Sequence, residues 1–324
     1  MTTKQALLSL LEEQKGNYLS GEEIAERLSV SRTAVWKAVK SLQNEGYEIE
    51  AATGRGYCLS VRSDMLSAEG IRRYLAEEQK NLALTVLPEV GSTNTALREQ
   101  AAAGAAEGCV LLAQQQTAGR GRMGRSFHSP AQTGVYLSIL LRPAALSAMQ
   151  AIRLTTMAAV AGCEAIEDIS DQKAEIKWVN DIFIGGKKVS GILTEASLDL
   201  ESGRPEYVVL GIGFNLYPPE EGFPEELQQI AAPIFTEQQQ DGKNRLAAAF
   251  LNRFFGYYRQ AEPTEYVEKY RARSLAVGKE IRVLSPEGER RAWALDVDED
   301  CHLLVRYADG TEERLSSGEI RIRL

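Results

Sequence analysis

Residues 114–127 read QQQTAGRGRMGRSF, in which three glycines and three arginines crowd between Gly119 and Arg125 of a chain whose formal charge is −8. Apolar runs flank this stretch closely. Val110–Ala113 precedes it and Thr133–Leu141 follows, each with the length and residue types of a strand. The fold must therefore carry a loose, basic loop between two strands of a sheet. Those flanks exclude a disordered nucleic-acid tail. A P-loop is nearly matched, since Gly119 and Gly124-Arg125-Ser126 have its spacing with arginine in place of lysine. A P-loop requires a helix to begin at once, because the helix N-terminus holds the phosphate. Here Phe127-His128-Ser129-Pro130 follows, and then a strand. A plain linker gives no reason for three arginines. The residues favour a loop that closes over an anionic ligand, with glycines admitting backbone and arginines offering forked donors to phosphate oxygens. A solvated loop is the alternative.

A length of 324 residues allows two or three domains. No apolar run reaches membrane length, and MTTKQALLSLLEEQ at the start has charges inside its apolar pattern, unlike a signal peptide. The four cysteines (Cys58, Cys109, Cys163, Cys301) are widely spaced, which predicts free thiols in a reducing cytoplasm. Two histidines, His128 and His302, argue against a histidine metal site or relay, and no metal ligands are assigned. Residues 1–63 hold eight Lys and Arg against eight Glu, so the −8 lies wholly in the rest. Non-specific nucleic-acid binding by the bulk of the chain is disfavoured.

The first sixty residues have a different pattern. Leu7, Leu10 and Leu11 have helical spacing. Ser20 with Glu23 forms a capping-box pattern before Ile24, Ala25 and Leu28, and Ser31 precedes the stripe Val35, Val39, Leu42. Tyr47, Ile49 and Ala51 then alternate, Thr53–Gly56 turns, and Tyr57, Leu59 and Val61 alternate again. Three short helices and a hairpin predict a winged helix-turn-helix, whose last helix enters the DNA major groove N-terminal end first. Its cap Ser31, the outward Arg32, Thr33, Trp36, Lys37 and Lys40, and Arg55 at the wing tip form the expected DNA face. A protein-interaction module of the same shape is the alternative.

Beyond Ser63 the pattern predicts a linker with a helix to about Gln79, a strand over 82–87, and an alanine-rich helix capped by the Gly91-Ser92-Thr93-Asn94 segment. Glu175–Trp178 reads as a short strand. Asp181–Ile184 and Lys187–Leu193 read as a hairpin turning at Gly185-Gly186. Simple alternation puts Lys188, Ser190 and Ile192 on one face, and Lys187, Val189 and Gly191 on the other. Gly211-Ile212-Gly213-Phe214-Asn215 ends a further strand, with glycines where a ligand could lie flat. Two helices near 243–273 precede short alternating strands from Gly278 onward, which read as a small SH3-like barrel.

Gly91-Ser92-Thr93-Asn94, the 116–125 loop, Lys177-Trp178-Val179-Asn180-Asp181, Lys188-Val189-Ser190-Gly191-Ile192-Leu193 and 211–215 occur in this order. Together they resemble the biotin–protein ligases. With the N-terminal module, the chain resembles the bifunctional class that also represses the biotin operon. The resemblance spans the whole chain. Val179 departs from it, standing where the family usually has proline.

The resemblance implies an α+β multidomain protein. A winged helix-turn-helix would occupy 1–63, a ligase domain on a mixed, class II synthetase-like sheet 64–275, and an SH3-like barrel 276–324. It implies formation of biotinyl-5′-AMP from biotin and ATP with Mg2+, then transfer to a lysine of a biotin carboxyl carrier protein. Operator DNA and, when adenylate is bound, a second copy of the chain are the other implied partners, with no membrane involved. Lys188, Arg120 and Arg122 become the catalytic set. Ser92, Thr93, Asn94, Gln116, Gly119, Arg120, Gly121, Arg122, Tyr136, Lys188, Gly191 and Gly213 become biotin contacts. Arg120, Arg122, Arg125, Phe127, Asn180, Lys188 and Asn215 become nucleotide contacts. The rival functions are a lipoate-type ligase and a ligand-sensing regulator without catalysis.

Overall fold

The computed structural model describes residues 2–143, 151–199, 204–260, 265–285, 288–316 and 318–322. The chain divides into two compact units, Met1–Lys80 with Glu237–Ala248, and Asn81–Thr236 with Ala249–Leu324.

The first unit is built on α1 (Thr3–Glu13), α2 (Gly21–Arg27), α3 (Arg32–Asn44), the hairpin β1 (Ile49–Ala52) and β2 (Gly56–Leu59), and α4 (Ala68–Tyr74). Its core joins Leu7 and Leu11 of α1, Ile24 of α2, Val35, Val39 and Leu42 of α3, and Leu59 of β2. Ser31 accepts from the Ala34 N–H at 3.2 Å, and Ser20 from the Glu23 N–H at 3.0 Å. The capping box expected at Ser20 is only half made, because Glu23 instead pairs with Arg27 at 2.7 Å one turn on. The hairpin needs glycine at Gly56, where φ is +102° and a Cβ would lie 2.0 Å from the Leu19 carbonyl oxygen. Residues 237–248 join this unit through buried polar contacts. Asn244 Oδ1 accepts from Ser67 N at 3.0 Å, and Lys15 meets Asp241 at 3.0 Å.

The second unit holds a seven-stranded sheet and a five-stranded sheet. Its elements are β3 (Ala83–Leu87), α5 (Thr93–Ala102), β4 (Cys109–Ala113), β5 (Gly134–Leu141), α6 (Ala151–Ile169), β6 (Glu175–Lys177), β7 (Asp181–Ile184), β8 (Lys187–Leu198) and β9 (Pro205–Asn215). They are followed by α7 (Gly242–Tyr258), whose first turns belong to the first unit, and by α8 (Glu265–Ala272). The strands β10 (Glu280–Ser285), β11 (Gly288–Val297), β12 (Leu303–Tyr307), β13 (Glu312–Leu315) and β14 (Glu319–Ile322) close the chain. The larger sheet runs β3-β4-β5-β9-β8-β7-β6, parallel only between β3 and β4. Strands β5 and β9 are buried throughout, apart from Glu206, because they are central in the sheet. The smaller sheet is antiparallel, ordered β13-β12-β11-β10-β14.

Candidate active site

The site lies on the β8–β9 part of the larger sheet. Asp181 of β7 is opposite Gly191 of β8, Gly191 is opposite Gly213 of β9, and Gly213 is opposite Tyr136 of β5. Directly opposed residues share a face, so two adjacent glycines cut a trough in it. Phe127 lies across the trough. A Cβ on Gly213 would fall 2.4 Å from its ring, and one on Gly191 3.3 Å from it. Tyr136 is buried beneath, edge-on to Phe127 at 6.4 Å, with its hydroxyl donating to the Pro130 carbonyl at 3.0 Å. Tyr136, expected as a biotin contact, therefore packs against Phe127 and is not among the residues that line the cleft.

The cleft is lined by Ser92, Thr93, Asn94 and Gln116 together with Arg120, Gly121, Arg122, Phe127, Asn180, Lys188, Gly191 and Gly213. Ser92 caps α5, which places Thr93 and Asn94 in the first turn. Gln116 Oε1 accepts from the Thr93 N–H at 2.9 Å, and Gln116 Nε2 donates to Ser129 at 3.0 Å. Asn94 is fully engaged. Its amide donates to Leu193 O and Glu195 at 3.1 and 3.0 Å, and its oxygen accepts from Ser138 at 2.6 Å.

One expectation fails in β8. Alternation separates Lys188 from Gly191, but a bulge pairs Phe183 with Lys188 and Ile182 with Ser190, leaving Val189 as the extra residue. The bulge turns Lys188 onto the face of Gly191, where a Cβ would sit 3.0 Å from Lys188 Nζ. Lys188 Nζ lies 2.6 Å from Asp181 Oδ1. That oxygen lies outside directional hydrogen-bond geometry, so the contact is ionic. Lys187 instead donates to the Gln228 carbonyl at 3.1 Å.

The glycine–arginine loop is tied back on itself and to its surroundings. Phe127 N–H donates to Gly119 O at 2.9 Å, and Gly121 N–H to Arg125 O at 2.7 Å, around a 3-10 turn at Arg122–Gly124. Arg120 meets Glu195 at 2.9 Å. Arg122 donates to Asn180 Oδ1 at 3.1 Å and to the Gly318 carbonyl at 3.2 Å. Arg125 forks onto Glu319 at 2.9 and 2.7 Å, away from the cleft lining. Gly119 is also outside the lining, packed so closely that a Cβ would meet Phe127 O at 2.4 Å. Asn215 is buried, and its carbonyl accepts from the Ile234 N–H at 2.8 Å. Sequence reasoning missed Glu195 and Ser138, which hold Arg120 and Asn94. Neither stands in a motif.

In the first unit Ser31, Arg32, Thr33, Trp36, Lys37 and Lys40 are all exposed on one side of α3, with Trp36 at 51%. Arg32, Thr33, Trp36 and Arg55 line a common groove between α3 and the hairpin. Arg55 lies 3.8 Å from the centre of the Tyr18 ring, whose hydroxyl donates to Glu50 at 2.6 Å. No described helix is long and apolar enough to cross a membrane.

Residues 86–215 match the Biotin/lipoate A/B protein ligase family, residues 3–58 an HTH domain, and residues 276–323 the Biotin protein ligase C terminal domain. The bifunctional ligase/repressor BirA of Bacillus spizizenii is 34% identical over 326 residues, covering 98% of each chain. The BirA of Escherichia coli is 26% identical over 337 residues, covering 99% of this chain and 98% of that one. Among solved structures, the biotin protein ligase from Aquifex aeolicus in complex with biotin and ATP aligns with a TM-score of 0.61 at 28% identity. That alignment covers 74% of this chain and 98% of the other. With the three segments in one order and near-complete coverage of the bifunctional relatives, the chain belongs to the bifunctional biotin–protein ligase/repressor family.

Proposed function

We propose that this chain activates biotin with ATP, passes the biotinyl group to a lysine of a biotin carboxyl carrier protein, and represses transcription through its winged helix. The observation that carries the reading is Lys188 held beside the Gly191–Gly213 trough, with Arg120 and Arg122 lining the same cleft. In the first step a carboxylate oxygen of biotin attacks the α-phosphorus of ATP. The bond to the bridging oxygen breaks, and diphosphate leaves. Two anions must meet, so the step depends on charge neutralisation and alignment more than on proton transfer. Lys188 would bridge the carboxylate and the α-phosphate, while Asp181 holds the ammonium in place until the ligands compete for it. Ser92, Thr93 and Gln116 offer donors and acceptors suited to the ureido ring. Phe127 would cover the apolar chain, and Asn180 with Arg122 would face the nucleotide. The carrier lysine then attacks the mixed anhydride carbonyl, and AMP leaves.

Among the described residues no group of three or more His, Cys, Asp or Glu is placed to hold a metal. Mg2+ would accompany the nucleotide as part of the substrate and would help neutralise its phosphates. Residues 1–63 would act as the DNA-binding domain, 64–275 as the ligase and 276–324 as a barrel that braces the loop through Gly318 and Glu319. A cytoplasmic location and a dimer of the adenylate-bound form complete the proposal. The test is incubation with ATP, labelled biotin or labelled lipoate, and a carrier domain. Biotin transferred to carrier with release of AMP is expected. Transfer of lipoate alone, or no adenylate, overturns the reading.

A further inference from the structure

Beyond the glycine trough the same face of the sheet continues to Lys177. Lys177 of β6 is directly opposite Asp181 of β7, which is opposite Gly191 of β8. Phe183 lies two residues along β7 and is opposite Lys188, and Lys177 Nζ sits 5.8 Å from the Phe183 ring centre. Lys177, Asp181, Lys188 and Gly191 thus share one surface. Among the described residues Lys177 has no carboxylate at ion-pair distance, because the Asp181 oxygen in this row is taken by Lys188 at 2.6 Å. The other nearby acid, Glu319, is forked by Arg125. Burial holds the Lys177 ammonium below its ordinary pKa. Asp181 and Glu319 pull it back up, and Lys188 and Arg125 push it down again. A half-buried lysine among other cations, with the local carboxylates already committed, is poorly compensated in the free protein.

We propose that Lys177 binds the diphosphate portion of the nucleotide and stabilises it as the leaving group. This rests on the adenylation reading. Ser92, Thr93, Gln116 and Lys188 line the cleft, Asn94 beside Thr93 reaches Leu193 further along β8 from Lys188, and Lys177 lies two strands from β8 on the side opposite Gly213. A ligand whose ring lies beside Ser92 and Thr93 and whose carboxylate meets the α-phosphate at Lys188 has its departing phosphates aimed along that row. The cation there meets charge that grows as the bridging bond breaks, which is where a fixed charge accelerates the step.

The experiment titrates inorganic diphosphate against wild-type protein, Lys177→Gln and Lys177→Arg, and measures ATP dependence of adenylate formation alongside. Lys177→Gln should weaken diphosphate binding and raise the KM for ATP by about tenfold or more, as for loss of one charged hydrogen bond. Lys177→Arg should recover much of both. Transfer from preformed biotinyl-AMP to carrier, which involves no diphosphate, should be unaffected in Lys177→Gln. Equal diphosphate affinity in wild type and Lys177→Gln overturns the inference. So does an equal fall in both half-reactions, which would mark Lys177 as structural. If wild type binds diphosphate through Lys177 yet forms no adenylate, the adenylation reading fails while the anion site stands.

Discussion

Two adjacent lysines in β8 have different surroundings. Lys187 reaches a backbone carbonyl at 3.1 Å, whereas Lys188 is held at 2.6 Å from Asp181 in the cleft. Replacing Lys188 by alanine should lower adenylate formation by on the order of a hundredfold or more, with the unfolding midpoint little changed. Lys187→Ala should leave the rate near normal. Single-turnover formation of biotinyl-AMP measures both, and a Lys188→Ala variant with a near-normal rate removes this residue from the mechanism. Residue types were legible at this scale, since glycines, arginines and a lysine in set order specify a close, cationic site. Partners were not. Arg120 finds Glu195 from a position 75 residues away, and nothing local in either segment announces the contact.

Among elements, the glycine–arginine loop is anchored by Arg122 to Asn180 and Gly318. Arg122→Ala should let the loop open more often, so that adenylate escapes before the carrier lysine arrives. Free biotinyl-AMP in solution and labelling of bystander proteins are the expected signs, read by filtration and blotting. Adenylate retained as in wild type would leave the loop as a solvated connection.

The first unit has its own titratable lock. Glu12 at the end of α1 meets Lys15 at 3.3 Å, and Lys15 meets Asp241 at 3.0 Å, all three nearly sealed from solvent. Burial raises Glu12 from an ordinary 4.5 to about 7, opposed by Lys15 and assisted by Asp241. Between these values the folded protein keeps a proton that the unfolded chain has lost, so this group's stabilising contribution fades as pH rises from about 4.5 through 7. Glu12→Gln should flatten that part of the stability–pH curve, measured by denaturant unfolding at pH 5 and 7.5. Parallel curves for the two proteins would dismiss the lock. Caps at Ser31 and Ser92 were readable because they are local, donor and acceptor being three residues apart. Strand β13 was not, since only Leu315 of its four residues is buried and an edge strand needs no alternation.

At the scale of the molecule, a winged helix with eight acidic and eight basic residues should bind DNA weakly alone, because few phosphates are neutralised. Pairing two such modules on a two-fold operator about doubles the phosphate contacts, so dimerisation would control occupancy. Biotin with ATP should promote both dimerisation and operator binding, and carrier protein that consumes the adenylate should reverse them. Sedimentation and operator titration with and without biotin plus ATP test this. Equal association and equal affinity in both conditions would leave a ligase that merely carries a DNA-binding module. By itself the sequence determined the three-part α+β order, the helix caps, the exposed face of α3 and most of the residue types that line the cleft, because periodicity, caps and glycine placement act over a few residues. Only the tertiary structure decided that a bulge turns Lys188 toward Gly191 and that Asp181 and Glu195 serve as carboxylate partners. It also decided that 237–248 joins the N-terminal unit. Strand register and long-range ion pairs depend on how distant segments pack, and that information is not carried by any one of those segments.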